Sequence, residues 1–278
     1  MDLRITLHTA ARHYCEEHYA RWMQEYLRSG QPQERGYHIF PRYLVLKAIR
    51  IGVERLRPEE ASSEEALRRS IVEVGSHAET SSTLHLKEAL KNRVAVQAMD
   101  EERRCFVEFV QALRGEDLAQ VEPLPFRRTL EATEVKVLWD QLQGTWGADY
   151  RWYPLTEVPC PDLLAFHTDY FDGYRKGATV LRPLLAQHGV ARVFELREFD
   201  EPCCEIDLSL FSPAYVGAEG YWTAREADWV VYASHESSIT LGGDWLITAL
   251  KEAWPDWRQR QYGGPFSTVD LRGSWKEE

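Results

Sequence analysis

The chain has no long apolar run, few cysteines and no surplus of basic charge, and each lack excludes something. No stretch of its 278 residues approaches the roughly 20 apolar residues that a membrane-spanning helix needs. The first residues, MDLRITLHTAARHYCEEHY, contain no apolar core of the kind a secretory leader carries, so no leader is expected. Five cysteines (Cys15, Cys105, Cys160, Cys203 and Cys204) are too few and too irregular for a disulfide framework, and no Cys-x-x-Cys occurs. Reduced thiols and a cytoplasmic location are expected. The net charge is −11, which disfavours a surface that follows phosphate backbones, because that binding draws on Lys and Arg. Neither nucleic acid nor a membrane is expected as a partner. An acidic surface does suit a basic protein partner.

Signatures of chemistry are missing too. There is no Gly-x-Ser-x-Gly elbow, no Walker pattern and no His-Glu-x-x-His. His8, His13 and His18 are five apart, so on a helix each turns away from the last and they cannot share a metal. Gly242-Gly243-Asp244 joins a strand to a helix as a dinucleotide turn would, but Asp244 puts a carboxylate where a phosphate would sit. Cys203 and Cys204 lie between Glu201 and Glu205, which disfavours a thiolate. No metal and no other cofactor is expected.

What is present is a good core supply: 44% hydrophobic residues, with ten Trp and thirteen Tyr. The first part reads as helical. Leu7, Ala11, Tyr14, Cys15, His18, Trp22 and Tyr26 recur at helix spacing over residues 2–28. A second helix is expected from about Pro41, a good first-turn residue, through Leu46, Ile49, Val53 and Leu56. Ser62 with Glu65 forms the pattern of a capping box for a third. A long helix from about Leu84 to Leu113 follows, with Gly115 suited to a left-handed stop. Pro123 and Pro125 stiffen a connector. These features divide the chain into a helical domain over 1–120 and an α+β domain over 121–278, which could pack as one unit.

In the second part, Glu131–Leu142 reads as a helix closed by Gly144 and Gly147, YRWYPL (150–155) as strand-like, and Leu163–His167 as a short strand. Asp169–Gln187 reads as a helix bent or split at Pro183. Residues 190–199 and 203–211 form an expected hairpin about Asp200-Glu201-Pro202. Pairing Phe199 with Cys203 sets Arg197 opposite Glu205 and Glu195 opposite Asp207, on a charged face, with Phe194, Leu196, Ile206 and Leu208 on an apolar one. Gly220–Thr223 begins a further strand. Trp229–Trp257 then reads as strand, turn, strand, glycine pair and helix, with Asp244 as N-cap and Leu246, Ile247, Leu250 and Trp254 as an apolar stripe. The expected fold class is α+β: an N-terminal helical bundle followed by an antiparallel sheet with helices packed on one face.

Three carboxylates on the sheet's polar face, Glu195, Glu205 and Asp207, make the sharpest chemical candidate, joined by Ser234, His235 or Glu236 from the next hairpin. Carboxylates held together raise one another's pKa, which is how general acids and metal sites begin. A solvated strand face partly neutralised by Arg197 is the simpler account. Ser234-His235-Glu236 itself cannot form a triad, since neighbouring strand residues point to opposite faces. The aromatic series Trp245, Trp254, Trp257 and Tyr262 reads as core plus an edge.

An acidic, aromatic-rich chain ending in strand, hairpin and helix is similar in general look to many bacterial proteins and to some toxin-neutralising immunity proteins. No diagnostic motif carries that likeness and no site residue follows from it. The function expected first is a non-enzymatic protein-binding module, toxin neutralisation included, holding a protein partner through Glu195, Glu205, Asp207, Trp254 and Trp257. The alternative is a hydrolase or metal-assisted enzyme built on Glu205, Asp207 and His235. A third reading is a small-ligand sensor with an apolar pocket between the two parts.

Overall fold

The computed structural model of the chain describes residues 2–29, 33–80, 91–149, 152, 154, 162–172, 176–198, 202–262, 268–269 and 275–276. It divides into two compact units, Met1–Leu124 and Pro125–Glu278. The fold class is α+β, as the sequence pattern predicts.

The first unit is built from α1 (Leu3–Arg28), α2 (Gln33–Arg55), α3 (Glu64–His77), α4 (Arg93–Ala112) and α5 (Gly115–Leu118). The Asp2 side chain caps α1 by accepting from the Arg4 N–H at 2.9 Å. The expected apolar stripe of α1 faces inward: Leu7, Ala11 and Cys15 are buried with Leu46, Ile49 and Val53 of α2 and Phe106 and Val110 of α4. In this bundle the buried Arg12 and His8 find partners across its helices. Arg12 Nε donates to Glu54 Oε1 at 3.3 Å with both side chains buried, and His8 Nε2 meets the Val53 carbonyl at 2.9 Å.

Several expected ends move. Pro41 lies inside α2, which begins eight residues earlier than the proline suggests. Pro41 gives up one helical hydrogen bond, and the turns before it hold because Tyr37, Phe40 and Leu44 pack on Ala95. The cap of α3 is Ser63, whose Oγ accepts from the Ala66 N–H at 3.1 Å; Ser62 lies one residue outside. Asn92 caps α4, and the Leu84–Leu90 part of the expected long helix lies outside the described residues. Gly115 opens α5 and has no left-handed backbone; α4 closes instead through the Leu113 N–H on the Phe109 carbonyl.

The second unit carries a seven-stranded sheet in which every pairing is antiparallel. Its strands are β1 (Arg127–Thr129), β2 (Leu163–His167), β3 (Arg192–Arg197), β4 (Cys204–Asp207), β5 (Gly220–Thr223), β6 (Val230–Ser234) and β7 (Ser238–Gly242). They lie in the order β1-β4-β3-β5-β6-β7-β2. A separate two-stranded pair, β8 (Thr268–Val269) and β9 (Trp275–Lys276), follows. The helices are α6 (Ala132–Trp146), α7 (Asp169–Asp172), α8 (Lys176–Gln187) and α9 (Asp244–Ala253). Gly147 closes α6 at φ 62°, and Pro183 sits inside α8. The strand-like reading of 150–155 falls mostly outside the described residues.

Helices α8 and α9 cover one face of the sheet. Leu181, Leu185, Leu246 and Leu250 pack there on Trp222, Val231, Ile239 and Leu241. The opposite face is also apolar, and α6 closes it: Leu138, Leu142 and Trp146 pack with Phe194, Leu196, Tyr221 and Tyr232. The expected charged face of β3 and β4 is therefore not found.

The register explains why. Glu195 pairs with Cys204 and Arg192 with Asp207, three residues away from the expected alignment. An odd shift moves every side chain of one strand to the other face relative to its partner. Glu195 thus lies on the α8–α9 face, whereas Glu205 lies with Phe194 on the α6 face. Strand β4 also ends early, at Asp207, in a short 3-10 turn over Leu208–Leu210.

Candidate functional site

The predicted site residues separate. Glu205 accepts from Arg128 Nη2 at 3.0 Å and lies 3.6 Å from Arg192 Nη1, while Arg128 also grips Glu134 with two bonds of 2.8 and 2.9 Å. Asp207 turns to the backbone and caps the short turn after β4 through the Ser209 N–H at 2.8 Å. Glu195, on the other face, pairs with Arg197 at 2.7 Å and lies 3.9 Å from Arg127. Trp254 is buried between Phe166 and Phe171, with ring centroids 5.8 and 5.0 Å away. Trp257 is half-buried under Lys251 and Arg258. Glu205, Asp207 and His235 are therefore on separate partners.

His235 has different company. Strands β6 and β7 pair Ser234 with Ser238, so His235, Glu236 and Ser237 form a three-residue loop, and Ser237 takes the left-handed position such a loop requires at φ 57°. Ser234 Oγ is buried, shares a 2.9 Å bond with Ser238 Oγ and accepts from the Glu236 N–H at 3.0 Å. That hydroxyl is a structural strut, and Ser234-His235-Glu236 is not a triad. The imidazole of His235 reaches back to Glu219, the residue before β5. Nδ1 bonds Glu219 Oε1, and the His235 N–H approaches the same oxygen at 3.4 Å. The other oxygen of Glu219 accepts from the Tyr232 hydroxyl. Nε2 lies 3.2 Å from Glu236 Oε1.

A second glutamate completes the cluster. Glu198 follows β3, and its N–H donates to the Glu219 carbonyl at 3.2 Å. Both carboxyls are buried, at 6% and 4% exposure, while the His235 side chain is 52% exposed. Glu198 Oε1 finds no hydrogen-bond partner among the described residues. Burial first, and the nearby Glu219 carboxylate second, push the Glu198 carboxyl up to about 7; His235 acts in the opposite direction. Burial also raises the Tyr232 phenol, so it stays protonated and donates to Glu219. The Tyr221 hydroxyl next to it donates to the Asp149 carbonyl at 2.7 Å.

The arrangement can move protons. Both ring nitrogens of His235 meet carboxylates, Nδ1 on Glu219 and Nε2 3.2 Å from Glu236, a half-exposed side chain; with Nδ1–H given to Glu219, Nε2 acts as a base only when Glu236 has turned away. Glu198 supplies a carboxyl that holds its proton to about neutral pH. Among the described residues no three His, Cys, Asp or Glu side chains converge as a metal set, and no helix is long and apolar enough to cross a membrane.

Glu198, Glu219 and Tyr232 escape a reading of the sequence alone. Glu219 stands two residues before Tyr221, and Glu198 two after Leu196, so alternation puts each on the α6 face once the strands are known. Bringing them together needs the pairing of Arg197 with Gly220, which nothing local announces. No family model, no curated protein and no solved structure matches the chain.

Proposed function

We propose that the second unit is a hydrolase that works by general acid–base catalysis. His235 Nε2 takes a proton from water, Glu219 holds the ring through Nδ1, and Glu198 donates the proton a leaving group needs. The observation that supports this is a pair of buried glutamates set against a half-exposed imidazole. Burying two carboxyls side by side costs stability, and perturbed groups of this kind cluster at functional sites. The alternative hydrolase residues Glu205 and Asp207 give way to Glu219 and Glu198, because the former two are already committed to Arg128 and to a backbone cap.

The test is a panel of chromogenic esters, phosphoesters, glycosides and aminoacyl anilides. Turnover is expected in one class, falling by about 10²-fold or more in His235→Ala and in Glu219→Gln. Turnover in no class, or turnover untouched by His235→Ala, would defeat the reading.

A protein-binding role, toxin neutralisation included, is the second reading. It is favoured by Tyr215 and Val216, exposed at 42% and 71%, with the Tyr215 ring centroid 6.3 Å from that of His235. Such an apolar pair beside polar groups suits a partner's surface. Tyr215→Ser with Val216→Ser should weaken capture of a given partner by about tenfold. Loss of capture on charge reversal of Glu205 and Asp207 instead would move the surface to β4. The cytoplasm is the compartment proposed, on the sparse and irregular cysteines, and the net charge of −11 speaks for a basic partner over nucleic acid.

A further inference from the structure

A cleft of about 460 Å³ lies at the end of the sheet where the connection into β3 meets the loop between β5 and β6. It shares only Glu205 with the readings above. Arg192, on the cleft, opens β3, and Glu198 follows that strand's last residue, so about 20 Å of strand separates the cleft from the His235 cluster. The volume is that of a small-molecule site.

Its walls carry both signs of charge. Arg192 and Arg225 supply cations and Glu205, Glu226 and Asp228 anions, with Phe194 and Trp229 also on the lining. Arg192 already pairs with Glu205, 3.6 Å away. Asp228 is already engaged, accepting from the Trp245 indole at 3.2 Å. Arg225 and Glu226 have no ion-pair partner among the described residues; the Arg225 guanidinium lies 5.4 Å from the Phe194 ring centroid. Trp229 is buried, and its Nε1–H finds no acceptor among the described residues.

The loop that presents these groups is fixed. Ala227 adopts φ 52°, its N–H bonds the Ala224 carbonyl at 3.2 Å, and Thr223 Oγ1 donates to the Trp229 carbonyl at 2.6 Å. A preset frame lowers the ordering cost of binding. A simple anion placed here would face Glu226, and a simple cation would face Arg225. A ligand carrying both charges satisfies both walls.

We propose that this cleft binds a small zwitterion of the α-amino-acid class. Its carboxylate lies on Arg225, the cation of the lining with no ion-pair partner among the described residues, its ammonium on Glu226, and its apolar body along the cleft beside Phe194. Guanidinium–carboxylate contacts of this kind are the strong, orienting ones.

Calorimetric titration of the full chain with L-phenylalanine and L-leucine tests this, alongside 3-phenylpropionate, which lacks the ammonium, and phenethylamine, which lacks the carboxylate. At least one amino acid should bind saturably, with its one-charge analogues weaker by about tenfold or more. Arg225→Gln and Glu226→Gln, both on an exposed loop, should each cost a similar factor while the melting temperature stays put. His235→Ala should leave the binding unchanged, so that failure here and failure of the hydrolase reading are told apart. No heat from either amino acid up to about 10 mM, equal binding of the one-charge analogues, survival of binding in both loop variants, or its loss in His235→Ala would each overturn the proposal.

Discussion

Glu198 carries the sharpest consequence at the scale of single residues. Its carboxyl keeps its proton in the folded chain up to about 7, against an ordinary value of 4.5. Between these two values the folded state binds more protons than the unfolded one, so stability falls as pH rises through this window and levels off above it. Glu198→Gln removes the dependence. The variant's melting temperature should decline less than that of the parent between about pH 5 and pH 8, and the variant should be the more stable of the two at the upper end. Equal slopes in both proteins would show that Glu198 ionises normally. If it is also the acid of the proposed reaction, kcat/KM should fall above about 7 in the parent, and Glu198→Gln should remove most of the activity rather than shift the profile.

Local elements were the most legible level. The span of α1, the β2 strand over Leu163–His167 and the β6–β7 hairpin all follow from patterns confined to a few residues. The hairpin of β3 with β4 was legible, but its register was not. Val193, Phe194 and Leu196 are buried on two different faces, so the alternation that normally fixes a register was mute. With the register unread, Glu195 and Glu205 looked like neighbours and Glu198 drew no notice. Asp244 was likewise assigned the cap of α9, but Gly243 holds that position and Asp244 is the first helical residue. Gly243 has φ 115°, and a Cβ there would stand 2.9 Å from the Asp228 carbonyl oxygen. Gly243→Ala should therefore cost about 1–3 kcal/mol, read as a shift in denaturation midpoint. The loss of the Ser63 cap in Ser63→Ala should cost about 1 kcal/mol.

On the scale of the whole molecule, each unit has its own buried cluster, one around Phe106 and Ile49, the other around Trp222 and Tyr232. A unit with its own core can fold alone. Residues 125–278, expressed by themselves, should unfold cooperatively on heating and keep near-ultraviolet circular dichroism; a broad, featureless melt would show that they need the first 124 residues. Phe106→Ala, which empties a ring-sized volume from the helical unit, should cost about 3–5 kcal/mol there.

The aromatic packing behind Glu219 has one more use. Tyr221 stacks on Tyr232 with centroids 4.5 Å apart, and Trp152 sits edge-on to Tyr232 at 5.8 Å. Tyr232 is also the hydroxyl bonded to Glu219. Three coupled chromophores thus end on the carboxylate that orients His235. The protein carries its own optical gauge: events at that carboxylate should register as changes in tyrosine ellipticity and absorbance, with no attached dye and no substrate in hand.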